Sequence, residues 1–364
     1  MKKLVALLAL VAPLTVAAAA QPSDWKKSWD ETLAAARQEG KVVVSGPPST
    51  ELRRVLPAAF KARYGINMEY LGGRSTETAA RMRAERQAGI HSIDAIFAGI
   101  QSMALTFHRE KMLQPLKPML VLPEVVDGAK WKKGKLWFAD PEEQYILRLA
   151  NSVTTMFHIN TNDVKPGELR SVKDLLNPKW KGKIALQDPT IPGSGSNQAA
   201  HLYFQHGEDF VKQLYVDQKP MISRDTRQIT DGLARGTYPI TLGAEDADVE
   251  KLRKEGIPVS ILENFTDLYS EISASFGQIA ILDNAPHPNA AKVFVNWIAS
   301  KEGSEVFNRA MGTVPTRNDI DESFVPAEII PKPGVQYFDT YDWEFTVTKK
   351  EQVRQRMKEL LQAR

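Results

Sequence analysis

The amino-acid sequence predicts an α/β fold divided into two domains. In two separate regions of the chain, short β-branched runs alternate with helical segments, which is typical of parallel sheets covered by helices. About 340 residues follow a predicted export signal, and this is more than one hydrophobic core usually holds. Hydrophobic residues make up 43% of the chain and charged residues 25%, a balance typical of soluble globular proteins.

The N-terminus is predicted to be a secretory signal peptide over residues 1–20. It has a basic start at 1–3, an apolar run at 4–16 and small residues at 17–20. The apolar run contains Pro13 and is short for a membrane span, which favours removal over the alternative of an N-terminal anchor. The chain has no Cys, which excludes a lipoprotein thioether, disulfides and thiolate metal sites. We therefore expect a soluble periplasmic or secreted protein.

The charge of the chain does not indicate a nucleic-acid partner. The formal net charge is only +3, and it includes two lysines of the signal peptide. The Lys-rich clusters at 131–135 and 179–183 are better explained as solvated loops than as binding patches. We expect a monomer that binds no nucleic acid.

The elements of the first domain begin soon after the signal. A helix over 25–38 precedes the β-branched run at 42–44, which indicates a strand buried on both faces. Ser49 is a predicted N-cap, with Glu51 in the first turn of a helix that continues to residue 62. The next predicted elements are a strand over 67–71, a helix over 76–88 and a strand over 93–97.

The alternation resumes in the second half of the chain. An amphipathic helix is predicted over 289–299 and a basic amphipathic helix over 348–362. Glu351 and Glu359 dilute the basic face of the last helix, which favours packing on a domain over a membrane-surface role. The other predicted elements are strands over 153–159, 183–187, 238–242 and 259–262, helices that start near 194, 223 and 246, and an extended segment over 270–282.

Ligand-binding loops are expected beyond the carboxyl ends of the strands, where helices begin. The backbone N–H groups and hydroxyls of these loops are suited to bind a carboxylate, phosphonate or phosphate. For the loop at 192–197, an ordinary Gly-rich turn with a Ser N-cap is the alternative explanation. Arg74 is the predicted cation, and Arg224 is a further candidate whose alternative is a solvated surface position. The predicted contacts are Ser45, Arg74, Ser75, Thr76 and Gly99 in the first domain, and Ser194, Gly195, Ser196, Asn197 and Arg224 in the second.

The chain carries no familiar catalytic motif. Its six His residues include no H-E-x-x-H pair, and residues 193–196 do not match the G-x-S-x-G nucleophile elbow. A Walker-type phosphate loop is also absent from the sequence. A binding protein is therefore favoured over a periplasmic hydrolase.

Five short sequence motifs occur along the chain in a specific order and spacing. They are E-G-K-V-V-V at 39–44, F-K-A-R-Y-G-I at 60–66, E-R-Q-A-G at 85–89, N-P-K-W-K-G-K-I at 177–184 and H-P-N-A-A-K at 287–292. In these motifs the chain resembles periplasmic solute-binding proteins of ABC importers, particularly the group that contains the ferric-ion-binding proteins. The resemblance extends over most of the mature chain.

The resemblance implies a type II two-lobed fold, the Venus-flytrap fold, with crossing strands as its hinge. Lobe one would comprise residues 25–150 and 272–325, and lobe two residues 151–271 and 326–364. The lobes would close over a small ligand, and an ABC permease in the inner membrane would recognise the closed form. A ligand-binding subunit of a sensor is an alternative that uses the same site.

The resemblance also raises the question of iron. Ferric members of the group bind iron through two adjacent tyrosines after a lobe-two strand, and here Glu245 and Asp246 stand in that place. The first loop has no histidine, so we expect no metal or other cofactor, with ferric-ion or ferric-complex binding as the alternative. The acidic pair would accept hydrogen bonds from a ligand ammonium or hydroxyl, or would cap the next helix.

Three residues beside the crossing segments complete the predicted site. Tyr145 and Tyr269 are placed to stack on a ligand or to donate a hydrogen bond, with core packing as the alternative. Ser275 is a predicted polar contact. Together these residues predict a small anionic or zwitterionic organic solute.

Overall fold

The structure, a computed structural model, describes residues 25–363 with the exception of 155, 192, 245, 263 and 264. The side chains of residues 246 and 247 are also outside the description, as is the predicted signal peptide. Within the described ranges, no helix combines the length and the apolar character needed to cross a membrane.

Helices and strands alternate along most of the chain. The helices are α1 Trp25–Glu39, α2 Thr50–Tyr64, α3 Ser75–Gln87, α4 Ile100–Ser102, α5 Pro123–Val126, α6 Ser194–Lys212, α7 Thr226–Ala234, α8 Asp246–Lys254, α9 Pro288–Ala299, α10 Lys301–Met311 and α11 Lys350–Gln362. The strands are β1 Lys41–Gly46, β2 Asn67–Gly72, β3 Ala95–Phe97, β4 Leu113–Gln114, β5 Leu147–Arg148, β6 Ser152–Thr154, β7 Phe157–Asn160, β8 Ile184–Gln187, β9 Met221–Ser223, β10 Ile240–Leu242, β11 Val259–Ile261, β12 Glu271–Ser273, β13 Gln278–Leu282 and β14 Phe338–Asp339.

The first sheet has the strand order β2-β1-β3-β13-β4, and β5 also pairs with β13. Strands β1, β2 and β3 are parallel, as predicted, whereas β13 runs antiparallel to β3. Helices α1, α2, α9 and α10 pack on one face, and α3 packs on the other together with the wide helical turn Met103–His108. The predicted N-cap of α2 is confirmed, because Ser49 Oγ accepts the N–H of Leu52 at 3.2 Å. We call the part of the molecule built around this sheet the first lobe.

The second sheet has the order β11-β7-β10-β8-β9. Strands β8, β9 and β10 are parallel, and β7 runs antiparallel to both of its neighbours. Helices α6 and α11 cover one face, and α7 and α8 cover the other. This part is the second lobe. Both sheets are therefore mixed, which the alternation of strands and helices along the sequence does not show.

A third, small sheet joins the lobes and has the order β14-β12-β6. The predicted strand over 153–159 is in fact two strands, because the chain leaves this sheet after β6 and enters the second sheet as β7. The predicted extended segment over 270–282 is likewise divided into β12 and β13. Between them Ser275 has a φ of +49°, a left-handed conformation that turns the chain into the first sheet.

The C-terminal helix packs on the second lobe. This confirms the prediction that it packs on a domain. A wide helical turn, Phe345–Lys349, leads directly into α11. Val353 and Met357 of α11 are buried in the core that α6 also covers.

Candidate ligand-binding site

The carboxyl ends of β1, β2 and β3 lie at one edge of the first sheet, because the three strands are parallel. Ser45 at this edge is buried, and its Oγ lies 3.2 Å from Thr78 Oγ1 on α3. The loop after β1 is held by Tyr70, whose hydroxyl donates to the carbonyl oxygen of Pro47 at 2.8 Å. Burial raises the pKa of Tyr70, so the phenol stays protonated. The strand ends are therefore tied to α3 and to the loop after β1 by these two hydrogen bonds.

Arg74, Ser75 and Thr76 form the start of α3. Arg74 is the N-cap residue, with extended backbone and an exposed side chain. Its guanidinium has no hydrogen-bond partner among the described residues, so it is open to a ligand. Thr76 is exposed as well, and Ser75 is half-buried.

Gly99 and Ser275 lie next to each other at the same edge. A Cβ atom at Gly99 would be 3.7 Å from the carbonyl oxygen of Ser275 and 4.0 Å from the hydroxyl of Tyr341. That hydroxyl donates to the Ser275 carbonyl at 2.6 Å. The structure thus brings two predicted residues together and adds Tyr341, which comes from the C-terminal segment.

In the second lobe, the first turn of α6 packs tightly against the end of β8. Gly195 is required there, because a Cβ atom would be 2.5 Å from the carbonyl oxygen of Asp188. Ser194 Oγ donates to Gln187 Oε1 at 2.5 Å, and Ser196 Oγ bonds both the N–H and the C=O of Gly193. The N-cap residue is Gly193, which has no side chain to cap the first-turn N–H groups of this helix.

Asn197 contributes an acceptor that the surrounding protein does not use. Its side chain is half-buried, and its Oδ1 atom is buried with no hydrogen-bond partner among the described residues. A buried acceptor without a donor is costly, so a ligand or water with a donor group would stabilise this position.

Arg224 is already engaged by an acidic residue of the second lobe. Its Nε donates to Asp188 Oδ2 at 2.8 Å, and Asp188 Oδ1 accepts the N–H and the hydroxyl of Thr190. Burial raises the pKa of Asp188, but the bonds from Thr190 and Arg224 outweigh it and leave that pKa below its ordinary value. An ionised Asp188 therefore neutralises Arg224, although the Arg224 side chain is still 69% exposed.

The remaining predicted residues are dispersed. Glu245 is outside the described residues, and Asp246 is the first residue of α8 with its side chain outside the description. Tyr145 packs against the first-lobe core, with its ring 5.1 Å from that of His108. Tyr269 is 48% exposed, and its N–H donates to Gln205 Oε1 at 2.9 Å. Gln205 is about 16 Å along α6 from Ser194, so Tyr269 lies away from the first turn.

Sequence reasoning missed the residues that α11 contributes beside these loops. Lys350 is 3% exposed, and its Nζ lies 3.4 Å from Oε1 of Gln101, which follows β3. Arg354, one turn later, donates to the carbonyl oxygen of Thr190 at 3.1 Å in the second lobe. The helix was visible in the sequence, but nothing in its pattern marks a lysine that is turned towards the other lobe.

No group of three or more His, Asp or Glu side chains among the described residues is arranged to hold a metal ion. Glu245 and the side chain of Asp246, which stand where ferric-binding proteins have their tyrosine pair, lie outside the described residues.

Two mixed α/β lobes joined by a short crossing sheet are the fold of type II periplasmic binding proteins, and solved structures show the same fold. An IdiA (FutA) protein of Trichodesmium in complex with iron and citrate has a TM-score of 0.66 and 17% identity, covering 88% of this chain and 99% of that one. AfuA from Actinobacillus pleuropneumoniae, with fructose-6-phosphate bound, has a TM-score of 0.61 and 18% identity, covering 90% and 100%. Iron-bound HitA from Pseudomonas aeruginosa has a TM-score of 0.62 and 14% identity, covering 87% and 99%. At these identities the likeness shows the fold.

The family follows from the sequence itself. Residues 56–335 match the family model of the bacterial extracellular solute-binding proteins, and the chain belongs to that family. An uncharacterized protein of Haemophilus influenzae is 26% identical over 286 residues, which are 74% of this chain and 76% of that protein. Members of the family are binding proteins rather than enzymes, and they bind small-molecule ligands and work with ABC permeases.

Proposed function

We propose that this protein captures a small anionic or zwitterionic organic solute between its lobes and delivers it to an inner-membrane permease. The observation that supports this most is the first turn of α6, because its N-cap residue, Gly193, has no side chain to cap the N–H groups. A helix N-terminus of this kind favours an anionic group because the N–H groups and the helix dipole both point at it. Arg74, exposed and unpaired among the described residues, would supply the opposing cation.

The ligand would also carry a hydrogen-bond donor. Asn197 Oδ1 is buried beside the first turn of α6 and lacks a partner among the described residues. An ammonium or hydroxyl group on the ligand would satisfy it. An amino acid, an aminophosphonate or a sugar acid has both an anionic group and a hydrogen-bond donor. Recognition of these two groups by α6, Arg74 and Asn197 does not depend on Glu245 or Asp246.

The proposal includes the division of the chain and its export. Lobe one would comprise residues 25–150 and 272–325, and lobe two residues 151–271 and 326–364. The separate hydrophobic clusters under the two sheets support this division. Residues 1–20 would be the signal peptide that directs the protein to the periplasm, where it would act as a monomer.

A thermal-shift screen of the mature protein tests the ligand class. Citrate, fructose-6-phosphate, glutamate, 2-aminoethylphosphonate, gluconate and Fe(III) are the probes, and we expect one of the organic anions to raise the melting temperature. At a hundredfold excess over Kd, binding stabilises the native state by about 2.7 kcal/mol. Stabilisation by Fe(III) alone, with no response to any organic anion, would show that the ferric alternative is correct.

Titration calorimetry with the same probe then tests the site. Arg74→Ala should weaken binding at least tenfold, about 1.4 kcal/mol, because a charge-assisted contact is lost. Arg81→Ala is the matched control, since Arg81 lies on the same helix and is paired with Glu85. Equal affinities for the two variants would remove Arg74 from the site.

A further inference from the structure

The C-terminal segment contacts the hinge and both lobes. We call residues 338–354 the C-terminal strap. At its start, β14 pairs parallel with the crossing strand β12. Thr340 Oγ1 then donates to the carbonyl oxygen of Ile272 at 3.2 Å. The strap therefore adds a third strand to the sheet that joins the lobes.

The next residues of the strap contact the first lobe. Tyr341 donates to the carbonyl oxygen of Ser275 at 2.6 Å, and the ring of Trp343 lies 5.0 Å from that of His108 in a T-shaped arrangement. Farther along, Lys350 Nζ lies 3.4 Å from Gln101 Oε1. Gln101 belongs to α4, directly after the loop that contains Gly99.

The same strap is anchored in the second lobe. Phe345 and Val353 are buried in the core beneath α6. Arg354 donates to Thr190 in the loop that leads to the first turn of α6. Helix α11 thus contacts a strand-end loop in each lobe. These loops belong to the proposed ligand site.

Lys350 is poorly explained by stability alone. It is 3% exposed, and the two carboxylates that attract it, those of Glu271 and Glu351, form no ion pair with its ammonium group in the described part of the chain. Gln101 is its hydrogen-bond partner among the described residues, so the ammonium has more donors than the described acceptors satisfy. Burying a cation with so few partners costs free energy, and an apolar side chain would be cheaper at this position.

We infer that the C-terminal strap is a third connection between the lobes, and that the contact of Lys350 with Gln101 restrains the angle between them. Lys350 is a positioning residue in this arrangement, because it acts on the orientation of the first lobe. The inference goes beyond the proposed function, since it concerns the protein without any ligand.

Inter-lobe distances measured by pulsed electron spin resonance test the inference. The natural chain has no Cys, so Lys61→Cys on α2 and Lys251→Cys on α8 place one spin label on each lobe and nowhere else. In the ligand-free protein we expect one narrow distance distribution. Lys350→Met and Gln101→Ala should each broaden it roughly twofold or add a second population. The double variant should change it no further than either single variant, because both remove the same contact.

Arg356→Ala is the matched control. Arg356 is a cation on the same helix, but its ion-pair partners Glu208 and Glu359 both lie on second-lobe helices. The distribution of this variant should equal that of the parent. Circular dichroism and the melting temperature would establish that each variant is folded, and Gln101→Ala tests the contact from the first lobe if Lys350→Met does not fold.

An unchanged distribution in folded Lys350→Met or Gln101→Ala would overturn the inference. Broadening in Arg356→Ala to the same extent would overturn it too, since the effect would then come from α11 in general. No ligand enters the experiment, so its result is independent of whether the proposed ligand class is correct.

Discussion

Lys350 shows how strongly a single buried charge is affected by its surroundings. Burial lowers its pKa to about 8, and the attraction of Glu271 on the crossing strand and Glu351 on its own helix offsets only part of this. Its first-lobe neighbour, Gln101, is uncharged. In the unfolded chain the same group titrates near its ordinary value of 10.5.

The free energy of unfolding should therefore depend on pH through Lys350. Between pH 8 and pH 10.5 the unfolded chain holds this proton and the folded chain does not, so stability rises with pH across that interval. Between pH 7.5 and pH 10 the rise is about 2 kcal/mol, at 1.36 kcal/mol per pH unit. Urea denaturation at pH 7.5 and pH 10 should show that Lys350→Met has lost this increment. The exposed Lys251→Met should keep the pH dependence of the parent, and a parent-like rise in Lys350→Met would contradict the assignment.

Residue-level predictions from the sequence succeeded where the cause is local. Ser49 caps α2 because the cap depends on a backbone group three residues away. Arg224 illustrates the opposite case, since its partner Asp188 is 36 residues distant and comes from another strand. The requirement for Gly at 195 also comes from Asp188, through the close approach of α6 to β8. Such pairings depend on tertiary packing, and no spacing in the sequence reports them.

At the scale of elements, an ion pair joins β14 of the strap to β5 of the first sheet. Arg148 is 1% exposed, and its Nη1 donates to both carboxylate oxygens of Asp339, at 3.1 Å and 3.0 Å. The guanidinium also lies over the rings of Trp137 and Tyr341. Asp339 is thus the charge partner that holds the strap against a buried cation at the end of β5.

Asp339→Ala should destabilise the protein by about 2–4 kcal/mol, because it leaves Arg148 buried without its carboxylate. Chemical denaturation measures the loss, and hydrogen exchange should show faster exchange in β14 and β12. Asp231→Ala is the control, since the pair of Asp231 with Arg235 is exposed and worth little. A loss below 1 kcal/mol for Asp339→Ala, equal to that of the control, would mean that this pair does not secure the strap.

The elements themselves were largely predictable, and their sheet partners were not. The β-branched run at 42–44 and the amphipathic helix over 289–299 both appear within a few residues of the predicted bounds. The segments 153–159 and 270–282 each have β-branched residues near both ends, so composition does not show that each passes from one sheet to another. Because the chain enters the second sheet as β7 and the first sheet as β13 directly from the hinge, these two strands run antiparallel to their neighbours.

At the scale of the molecule, the two lobes are separate hydrophobic bodies connected by a sheet of short strands. The resemblance to known sequences placed the crossings near 150 and 271, and β6 and β12 lie there. The predicted lobe bounds also imply that the chain passes between the lobes a third time, near residue 326. They do not predict that the strap contacts both lobes. Its contacts with both sets of strand-end loops come from side chains of α11, whose directions the sequence does not give.

Ligand binding should close the lobes, because a solute held by α6 of one lobe and Arg74 of the other is fully bound only when the two approach. A shift from 1:99 to 99:1 in favour of the closed form requires about 5.5 kcal/mol of differential affinity. We expect small-angle scattering to show a smaller radius of gyration when the compound found by the thermal-shift screen is added at saturation. Arg74→Ala at the same concentration should keep the ligand-free value, whereas Arg81→Ala should contract like the parent. A ligand that calorimetry shows to be bound, with no contraction of the parent, would mean that the site lies within one lobe and that hinge closure plays no part in capture.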